Sequence, residues 1–366
     1  MEAVVDAPAA ALPTPRFWGG RRVLLTGHTG FKGSWLALWL ARLGAQVTGL
    51  ALAPATEPSL FELARVGDCL RASHLVDLRD PAAVRAAVQA AAPQIVLHLA
   101  AQPLVRASYR EPVATFATNV LGTVHLLEAL RQADELQAVV VITTDKVYAD
   151  RGWTYPYRED DRLGGHDPYS ASKAAAELAV DCYRQSFFGS GAVPIATARA
   201  GNVIGGGDWS EDRLLPDAVR AWSAGRPLTV RRPAAVRPWQ HVLEPLWAYL
   251  TLAEQLTREH SLQGAWNFGP DPAAVHSVRS VVGLAECHFG GGRTEYAAAA
   301  DGPHETAWLA LETSRSRCRL GLRPRWGTEV AVARTMRWYR AQLAGADARA
   351  LCDADIEAFE AGPEAT

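Results

Sequence analysis

The chain has 366 residues and a formal net charge of −2, and 49% of its residues are hydrophobic. This length predicts two structural units, and the balanced charge argues against nucleic acid and membrane surfaces as partners. The five cysteines show no CxxC spacing, so we expect reduced thiols in a cytoplasmic protein, with no disulfide framework and no metal site.

The first 17 residues contain acids and prolines where a secretory signal carries basic residues and an unbroken apolar run. We therefore expect residues 1–17 to form a flexible N-terminal tail. Farther along, no run approaches the roughly 18 consecutive apolar residues of a membrane span. The sequence thus predicts no membrane segment.

From residue 18 to residue 200, short apolar runs alternate with longer helical patterns, which is typical of a parallel sheet with crossover helices. Six strands are predicted, at 22–26, 46–50, 73–77, 94–99, 138–143 and 194–199. Six parallel strands form a Rossmann sheet, which binds a dinucleotide. The predicted fold class is α/β, a Rossmann-type doubly wound parallel sheet with a smaller C-terminal substrate-binding α/β domain.

After residue 200 the alternation gives way to loops rich in Gly, Trp, Pro and Arg, of a kind that lines binding sites. We expect residues 201–345 to form mainly the smaller domain, with the chain returning to the large domain at about 240–257. Residues 346–366 are predicted to be a C-terminal tail.

A glycine-rich turn follows the first predicted strand and opens a helix. Gly27, Gly30 and Gly33 permit a tight turn, close approach of a pyrophosphate and close helix packing, and the helix N-terminus offers free N–H groups to the anion. The second strand ends without the carboxylate that holds an adenosine ribose. The turn therefore does not distinguish between NAD and NADP as the cofactor. We expect the affinity for the cofactor to be modest or to depend on His28 and Lys32.

Two further motifs carry candidate catalytic residues. Thr144, Asp145 and Lys146 leave the carboxyl end of the strand at 138–143, the edge where open α/β sheets bind ligands. Tyr169 and Lys173 lie one turn apart on a predicted helix, and an ammonium beside a phenol favours the phenolate, which is a base. The Asp145-Lys146 pair alone also allows a plainer interpretation, an ion pair at a loop entrance.

Together these motifs resemble the extended short-chain dehydrogenase/reductases over residues 18–345. Five stretches are similar, more narrowly, to the CDP-glucose 4,6-dehydratases: HTGFKGSW (28–35), TTDKVY (143–148), DPYSASK (167–173), ARAGNVIGGGDW (198–209) and RPWQHVLEP (237–245). The resemblance implies that the chain binds NAD and CDP-glucose and forms CDP-4-keto-6-deoxy-D-glucose and water. The alternative is an epimerase, decarboxylase or reductase of another nucleotide sugar, although an acid directly after Thr144 has little use in epimerisation.

The resemblance also implies a role for each catalytic residue. Tyr169 takes the C4 hydroxyl proton, helped by Thr144 and Lys173, while hydride leaves C4 for the nicotinamide. Asp145 gives a proton to the C6 hydroxyl, and Lys146 takes the C5 proton or stabilises the enolate. Related dTDP-glucose dehydratases carry Asp-Glu where this chain has Asp-Lys. This chain therefore differs from them in the residue at the position of the C5 base.

Binding residues follow from the same resemblance. The implied cofactor contacts are Gly27, His28, Gly30, Phe31, Lys32, Gly33, Asp77, Leu78, Leu99, Ala100, Ala101, Gln102, Tyr169 and Lys173. Asp77 has a helix cap as its alternative role. Arg237 matches the arginine that clamps the substrate diphosphate, and the other substrate candidates are Asn202, Arg213, Arg232 and His241. We expect a homodimer, with a tetramer as the alternative, paired through the helix at 169–188.

Overall fold

A computed structural model describes residues 8–189, 193–272, 274–297 and 306–362. Its main feature is a parallel sheet of seven strands in the order β11-β6-β5-β4-β1-β2-β3. These strands are β1 (Arg22–Thr26), β2 (Gln46–Ala51), β3 (Ala72–Leu75), β4 (Ile95–His98), β5 (Ala138–Ile142), β6 (Ile195–Arg199) and β11 (Gly264–Asn267).

The six predicted strands are all present, and the doubly wound parallel sheet is confirmed. The seventh strand, β11, pairs in parallel with β6 at the sheet edge. Its sequence, GAWN, is short and has no β-branched residue, so it lacks the apolar run that predicts a buried strand. In contrast, every residue of β5 is buried, as expected for a strand covered on both faces.

Among the described residues that follow β6, six shorter strands form two-stranded ladders. They are β7 (Val203–Ile204) with β10 (Gln240–His241), β8 (Leu228–Val230) with β13 (Thr294–Tyr296), and β9 (Val236–Arg237) with β12 (His276–Ser277). They belong to the stretch that the sequence assigns to the smaller domain. The division of the chain into domains at residue 200 stays a prediction.

Helices cover both faces of the large sheet. Within the described residues they are α1 (Pro15–Trp18), α2 (Phe31–Arg42), α3 (Leu60–Leu63), α4 (Pro81–Ala91), α5 (Val105–Arg110), α6 (Pro112–Phe116), α7 (Gly122–Leu130), α8 (Pro168–Ser186), α9 (Leu214–Ser223), α10 (Leu243–Leu256), α11 (Val278–Phe289), α12 (Ser314–Leu320), α13 (Thr328–Leu343) and α14 (Ala348–Ala361). One hydrophobic core contains residues of α2 and α10 on one face. A second core contains residues of α4 and α7 on the other.

Both ends of the described chain pack against the body. Leu12 and Phe17 contribute to the core, and the Trp247 indole donates a hydrogen bond to the carbonyl of Ala11 at 3.3 Å. The C-terminal segment forms α14, which lies against α2 and buries Ile356 and Phe359. Residues 8–17 and 348–361 are therefore not the tails that the sequence predicts, because their apolar side chains find partners far along the chain.

One helical stretch, Pro112–Leu130, is long and apolar enough to cross a membrane by length and composition alone, with 44% of the tested window buried in the protein. A π-turn at Ala117–Leu121 separates α6 from α7 within it. The two helices pack along α8, and α7 also contacts α4. Helices of a protein core commonly pass such a test, so this stretch is weak evidence for a membrane segment.

Candidate active site

The glycine turn after β1 is shaped by backbone that approaches too closely for side chains. Gly27 has φ +77°, and a Cβ there would lie 2.7 Å from the amide nitrogen of Ala100. A Cβ on Gly33 would lie 2.7 Å from the carbonyl carbon of Gly27. Gly30 caps α2 without a side-chain hydrogen bond, which leaves the first N–H groups free for an anion. This cradle fits the pyrophosphate of NAD.

His28 supports the cradle from within the sheet. Its ring is buried, and Nε2 hydrogen-bonds the Ser73 hydroxyl at 2.8 Å. A Cβ on Gly49 would overlap the imidazole, so the glycine of β2 makes room for it. Burial lowers the pKa of His28 to about 4. The histidine is therefore neutral at neutral pH and adds no charge where a cofactor would lie.

The other predicted cofactor contacts lie at the ends of β3 and β4. Asp77 is bound by the Arg79 guanidinium at 2.6 Å, which lowers the pKa of its carboxyl. The backbone N–H of Gln102 donates to Asn119 Oδ1 at 2.8 Å, which holds the segment after β4 in place. Around these residues, Leu78, Leu99, Ala100 and Ala101 line the same edge of the sheet. Their contact with NAD stays a prediction.

Thr144 and Asp145 begin a short 3₁₀ turn directly after β5. Both side chains are buried, and the Thr144 hydroxyl donates to Asp145 Oδ1 at 3.0 Å. Asp145 Oδ2 is buried without a hydrogen-bond partner among the described residues. Gly201 packs against this carboxyl, since a Cβ there would lie 2.5 Å from Oδ1 and closer still to Oδ2. An unpartnered buried carboxylate oxygen is costly and indicates a functional group.

Tyr169 and Lys173 lie on one face of α8, which begins with Asp167 as its N-cap and Pro168 as its first residue. The Lys173 ammonium donates to the carbonyl of Ile142 at 2.9 Å, so it is held at the end of β5. Burial raises the pKa of Tyr169, while a hydrogen bond with the Thr144 side chain acts in the opposite direction. The charge of Arg213 also acts in that direction, so the effect on the phenol that the sequence assigns to Lys173 stays a prediction.

The sequence contains three lysines, and the structure brings all three to this site. Lys32, on α2, donates to the Tyr249 hydroxyl at 2.9 Å. Burial lowers the pKa of Lys32 to about 7 and that of Lys173 to about 8. Burial also lowers the pKa of Lys146; Asp145 opposes this effect, and nearby arginines add to it. A lysine can lose its proton under such conditions, whereas an arginine cannot.

Behind Lys173 lies a buried ion pair that the sequence interpretation missed. Glu177, one turn farther along α8, accepts from the Arg199 Nε at 3.0 Å and the Nη2 at 2.8 Å. The hydroxyls of Thr143 and Thr197 also donate to the Glu177 carboxylate. The only signal in the sequence was the spacing of Glu177 four residues after Lys173.

All five predicted substrate residues lie in the loops and short strands that follow β6. Arg237 is buried in β9, and its charge and that of Arg213 lower the pKa of Lys146, which places both arginines near this lysine. Asn202 has φ +45°, and its backbone carbonyl accepts a hydrogen bond from the backbone N–H of Gln240. Arg232 is half-buried in the turn before β9.

His241 is not brought to this cluster, which corrects the sequence expectation. Its side chain is fully buried between Trp35 and Trp326, with ring centroids 6.0 and 4.9 Å away. Its Nε2 lies 4.0 Å from a carboxylate oxygen of Asp355 in α14. The sequence motif did not indicate this position, because the C-terminal helix that encloses the ring is distant in the chain.

The architecture and the glycine turn, together with Thr144, Tyr169 and Lys173, can be compared with known proteins. The model of the NAD dependent epimerase/dehydratase family matches residues 23–269. This chain belongs to that family. Its members bind NAD, and the cradle after β1 fits that cofactor.

Relatives of this family member include sugar-nucleotide dehydratases. The chain is 46% identical to the CDP-glucose 4,6-dehydratase of Salmonella typhimurium over 90% of its own length and 94% of the relative's. It is 30% identical to the dTDP-glucose 4,6-dehydratase of Xanthomonas campestris, over 86% and 92% of the two chains.

Among solved structures, the dTDP-glucose 4,6-dehydratase of Streptomyces venezuelae with NAD bound has a TM-score of 0.75 at 24% identity, covering 88% of this chain and 98% of that one. The UDP-glucose 4-epimerase of Stenotrophomonas maltophila has a TM-score of 0.77 at 24% identity, covering 89% and 100%. At this level of identity the two structures establish the fold that the family member shares with them.

Proposed function

We propose that the protein is a CDP-D-glucose 4,6-dehydratase, which converts CDP-D-glucose to CDP-4-keto-6-deoxy-D-glucose and water. The observation that carries this proposal is the juxtaposition of Asp145 and Lys146 with Tyr169 and Lys173 at one edge of the sheet. Oxidation needs only the second pair, whereas loss of water needs an acid and a base besides. The 46% identity to a dehydratase of this specificity supports the choice of CDP.

Oxidation at C4 is assigned to the residues of α8. When bound, NAD supplies the group that accepts hydride from C4 and returns it to C6. Tyr169 takes the proton of the C4 hydroxyl. Thr144 opposes the effect of burial on the pKa of Tyr169, and Lys173, fixed by the Ile142 carbonyl, contributes positive charge.

Elimination is assigned to the turn after β5. The C4 ketone acidifies the C5 hydrogen, and Lys146 in its neutral form takes that proton, since burial lowers its pKa. Asp145 gives a proton to the C6 hydroxyl, which leaves as water. The burial of Asp145 excludes bulk water from the acid until the substrate occupies the site.

The substrate diphosphate is assigned to Arg237 and Arg213. Both guanidinium groups lie near Lys146, so an anion bound there would also bring the sugar to the catalytic turn. A planar guanidinium suits a phosphate because two of its N–H groups donate in parallel. Asn202 and Arg232 are assigned to the same nucleotide-sugar site.

Oligomeric state and location belong to the proposal as well. The surface of α6, of the π-turn that follows it and of α8 exposes large apolar side chains, namely Val113 (81%), Phe116 (40%), Leu121 (54%) and Leu178 (62%). We assign this surface, called the α6–α8 face below, to a second copy of the chain in a two-fold dimer, because a two-fold axis covers the same patch on both subunits. The free cysteines support a cytoplasmic location.

The test uses glucose deuterated at C4 and linked in turn to CDP, dTDP, UDP and GDP, incubated with the protein and NAD. Mass spectrometry and NMR follow the loss of water and the position of the deuterium. We expect the CDP sugar to lose water and carry its deuterium at C6. Deuterium retained at C4 in a dehydrated product would contradict hydride return, and no dehydration of any sugar would contradict the function.

A further inference from the structure

The 3₁₀ turn after β5, Asp145–Val147, does little to fix its own position. It contains three residues, and the hydrogen bonds of such short helices have poor geometry. The Lys146 N–H, for example, reaches the Thr144 hydroxyl only at 3.4 Å. The position of the turn therefore depends on the residues that flank it, Thr143 before it and Tyr148 after it.

Tyr148 ties the end of the turn to the large sheet. Its residue is 4% exposed, and its hydroxyl accepts a hydrogen bond from Arg199 Nη1 at 2.8 Å and donates to Asn267 Oδ1 at 2.6 Å. Arg199 is the last residue of β6, and Asn267 is the last residue of β11. The ring also stacks on Tyr157, with centroids 5.0 Å apart. Since the one proton of the hydroxyl goes to Asn267, Tyr148 has none to give to a sugar.

The ion pair that holds Tyr148 also holds the start of the turn. The Arg199 guanidinium binds Glu177 through Nε and Nη2, and the Thr143 hydroxyl donates to the same carboxylate. Both charged side chains are buried, at 4% exposure each. Hydrogen bonds to charged groups are stronger than those between neutral groups, so the two flanks of the turn share one firm attachment. That attachment includes α8, the helix that carries Tyr169.

The two flanks lie near different parts of the proposed reaction. Thr143 precedes Thr144, which is assigned to the oxidation at C4. Tyr148 lies at the other end of the turn, two residues after Lys146, which is assigned to the elimination. Loss of the Tyr148 hydroxyl would leave α8 and the bond from Thr143 to Glu177 in place, and would release only the end of the turn that carries Lys146.

We infer that Tyr148 is a positioning residue for the elimination of water. Its hydroxyl, bound by Arg199, fixes the turn so that Asp145 and Lys146 lie where the acid and the base are needed. Tyr148 acts through the backbone of the turn and takes part in no proton transfer. This inference rests on the proposed dehydratase reaction, and it adds a residue that the chemistry of that reaction does not itself require.

The test is Tyr148→Phe, which keeps the buried ring and removes only the hydroxyl. Arg199 Nη1 retains the Glu159 carbonyl as a partner at 2.8 Å, so we expect the variant to fold and to bind NAD. In a single turnover with CDP-glucose, stopped-flow absorbance of the reduced nicotinamide follows the oxidation at C4. Rapid quench with mass spectrometry identifies the sugar that is present at each time.

We expect Tyr148→Phe to oxidise C4 at the wild-type rate and to lose water more slowly by at least about tenfold, as a displaced catalytic group does. Reduced nicotinamide should therefore accumulate, together with a sugar that is oxidised at C4 but still carries its C6 hydroxyl. A loss of stability alone would not separate the two steps in this way.

Tyr157→Phe is the matched control, because it removes a buried hydroxyl from the other ring of the same stacked pair. The Tyr157 hydroxyl accepts from the backbone N–H of Arg151 at 3.1 Å, so its loss leaves the bond between Arg199 and Tyr148 intact. Oxidation and loss of water should both keep their wild-type rates in this variant.

The inference is wrong if Tyr148→Phe has the wild-type time course, if it slows oxidation as much as loss of water, or if Tyr157→Phe accumulates the same oxidised sugar. Arg199→Lys replaces Tyr148→Phe if circular dichroism or NAD binding shows that the latter does not fold. It keeps a positive charge beside Glu177 but lacks the planar fork that also reaches Tyr148, so the same sugar should accumulate. Failure of wild type to dehydrate CDP-glucose would refute the proposed function instead.

Discussion

At the scale of single residues, the position of Asp145 in the site depends on the absence of a side chain at Gly201. Asp145 can occupy its buried position only because Gly201, at the end of β6, has no Cβ. Neighbouring strands of a parallel sheet end at the same edge, so a residue that follows β6 limits the space of an acid that follows β5. The Asp145 carboxyl is thus positioned by a residue 56 places farther along the chain.

Gly201→Ala tests this dependence. The added methyl group would overlap the Asp145 carboxyl, so we expect kcat to fall by about 100-fold, as displacements of about 1 Å can do, while the fold persists. Product formation from CDP-glucose and circular dichroism are the measurements. Gly283→Ala is the control, because nothing lies near its Cβ position in α11 and alanine favours a helix. Wild-type kcat in Gly201→Ala would contradict this account of Asp145.

Asp145→Asn separates acid catalysis from oxidation. The amide cannot give a proton to the C6 hydroxyl, so dehydration should slow by about 100-fold or more, while hydride transfer from C4 remains detectable as absorbance of the reduced nicotinamide. Tyr169→Phe, by comparison, should abolish that absorbance change. Unchanged turnover in Asp145→Asn would remove Asp145 from the mechanism.

At the scale of elements, the position of α8 relative to β5 and β6 is fixed by one buried carboxylate. Glu177 accepts hydrogen bonds from Thr143 on the β5 side and from Thr197 and Arg199 on β6. Its charge also raises the pKa of Lys173 against the effect of burial. The helix that carries Tyr169 is therefore held to the strand that leads to Thr144.

Glu177→Gln should lower the free energy of unfolding by roughly 3 kcal/mol, because it leaves the buried Arg199 guanidinium without its counter-charge. Denaturant unfolding measures this change. Thr197→Val is the matched control: it removes one donor to the same carboxylate but keeps the ion pair, and should cost about 1 kcal/mol. Equal effects of the two substitutions would show that the charge of Glu177 contributes little.

At the scale of the whole molecule, lysines are few and occur only at the candidate active site, whereas arginines are spread over the protein. Of the 37 lysines and arginines, three are lysines, and all three lie at the candidate active site. Burial lowers the pKa of each. The folded protein therefore binds fewer protons on these side chains than the unfolded chain does, and its stability should rise with pH wherever that difference exists.

Lys32→Met tests this consequence. The pKa of Lys32 falls from 10.5 to about 7 on folding. Burial of the charged lysine therefore destabilises the fold fully below about pH 7, and this destabilisation disappears as the pH rises toward 10.5, the pKa of the lysine in the unfolded chain. We expect the variant to be more stable than wild type by roughly 4 kcal/mol at pH 7, with the difference shrinking toward pH 10. Unfolding at several pH values measures it. Arg226→Met, at an exposed arginine, should show no such trend, and a pH-independent difference for Lys32→Met would contradict the argument.

Assembly also belongs to this scale. Leu178→Glu places a charge on the α6–α8 face, so we expect a two-fold dimer to dissociate into monomers in analytical ultracentrifugation. Leu75→Glu is the control, because Leu75 is equally exposed, at 64%, but lies on the edge strand β3. A mass that does not change in Leu178→Glu would place the interface elsewhere.

The sequence by itself determined the parallel sheet, the glycine turn and the motifs that carry Thr144, Tyr169 and Lys173, because these depend on local periodicity and on spacing within one strand or helix. Only the tertiary structure decided what surrounds them. It brought Lys32 to Tyr249, Glu177 to Arg199 and Gly201 to Asp145, and it enclosed His241 beside α14. Each of these contacts joins distant parts of the chain, and no local pattern of residues encodes such a pairing.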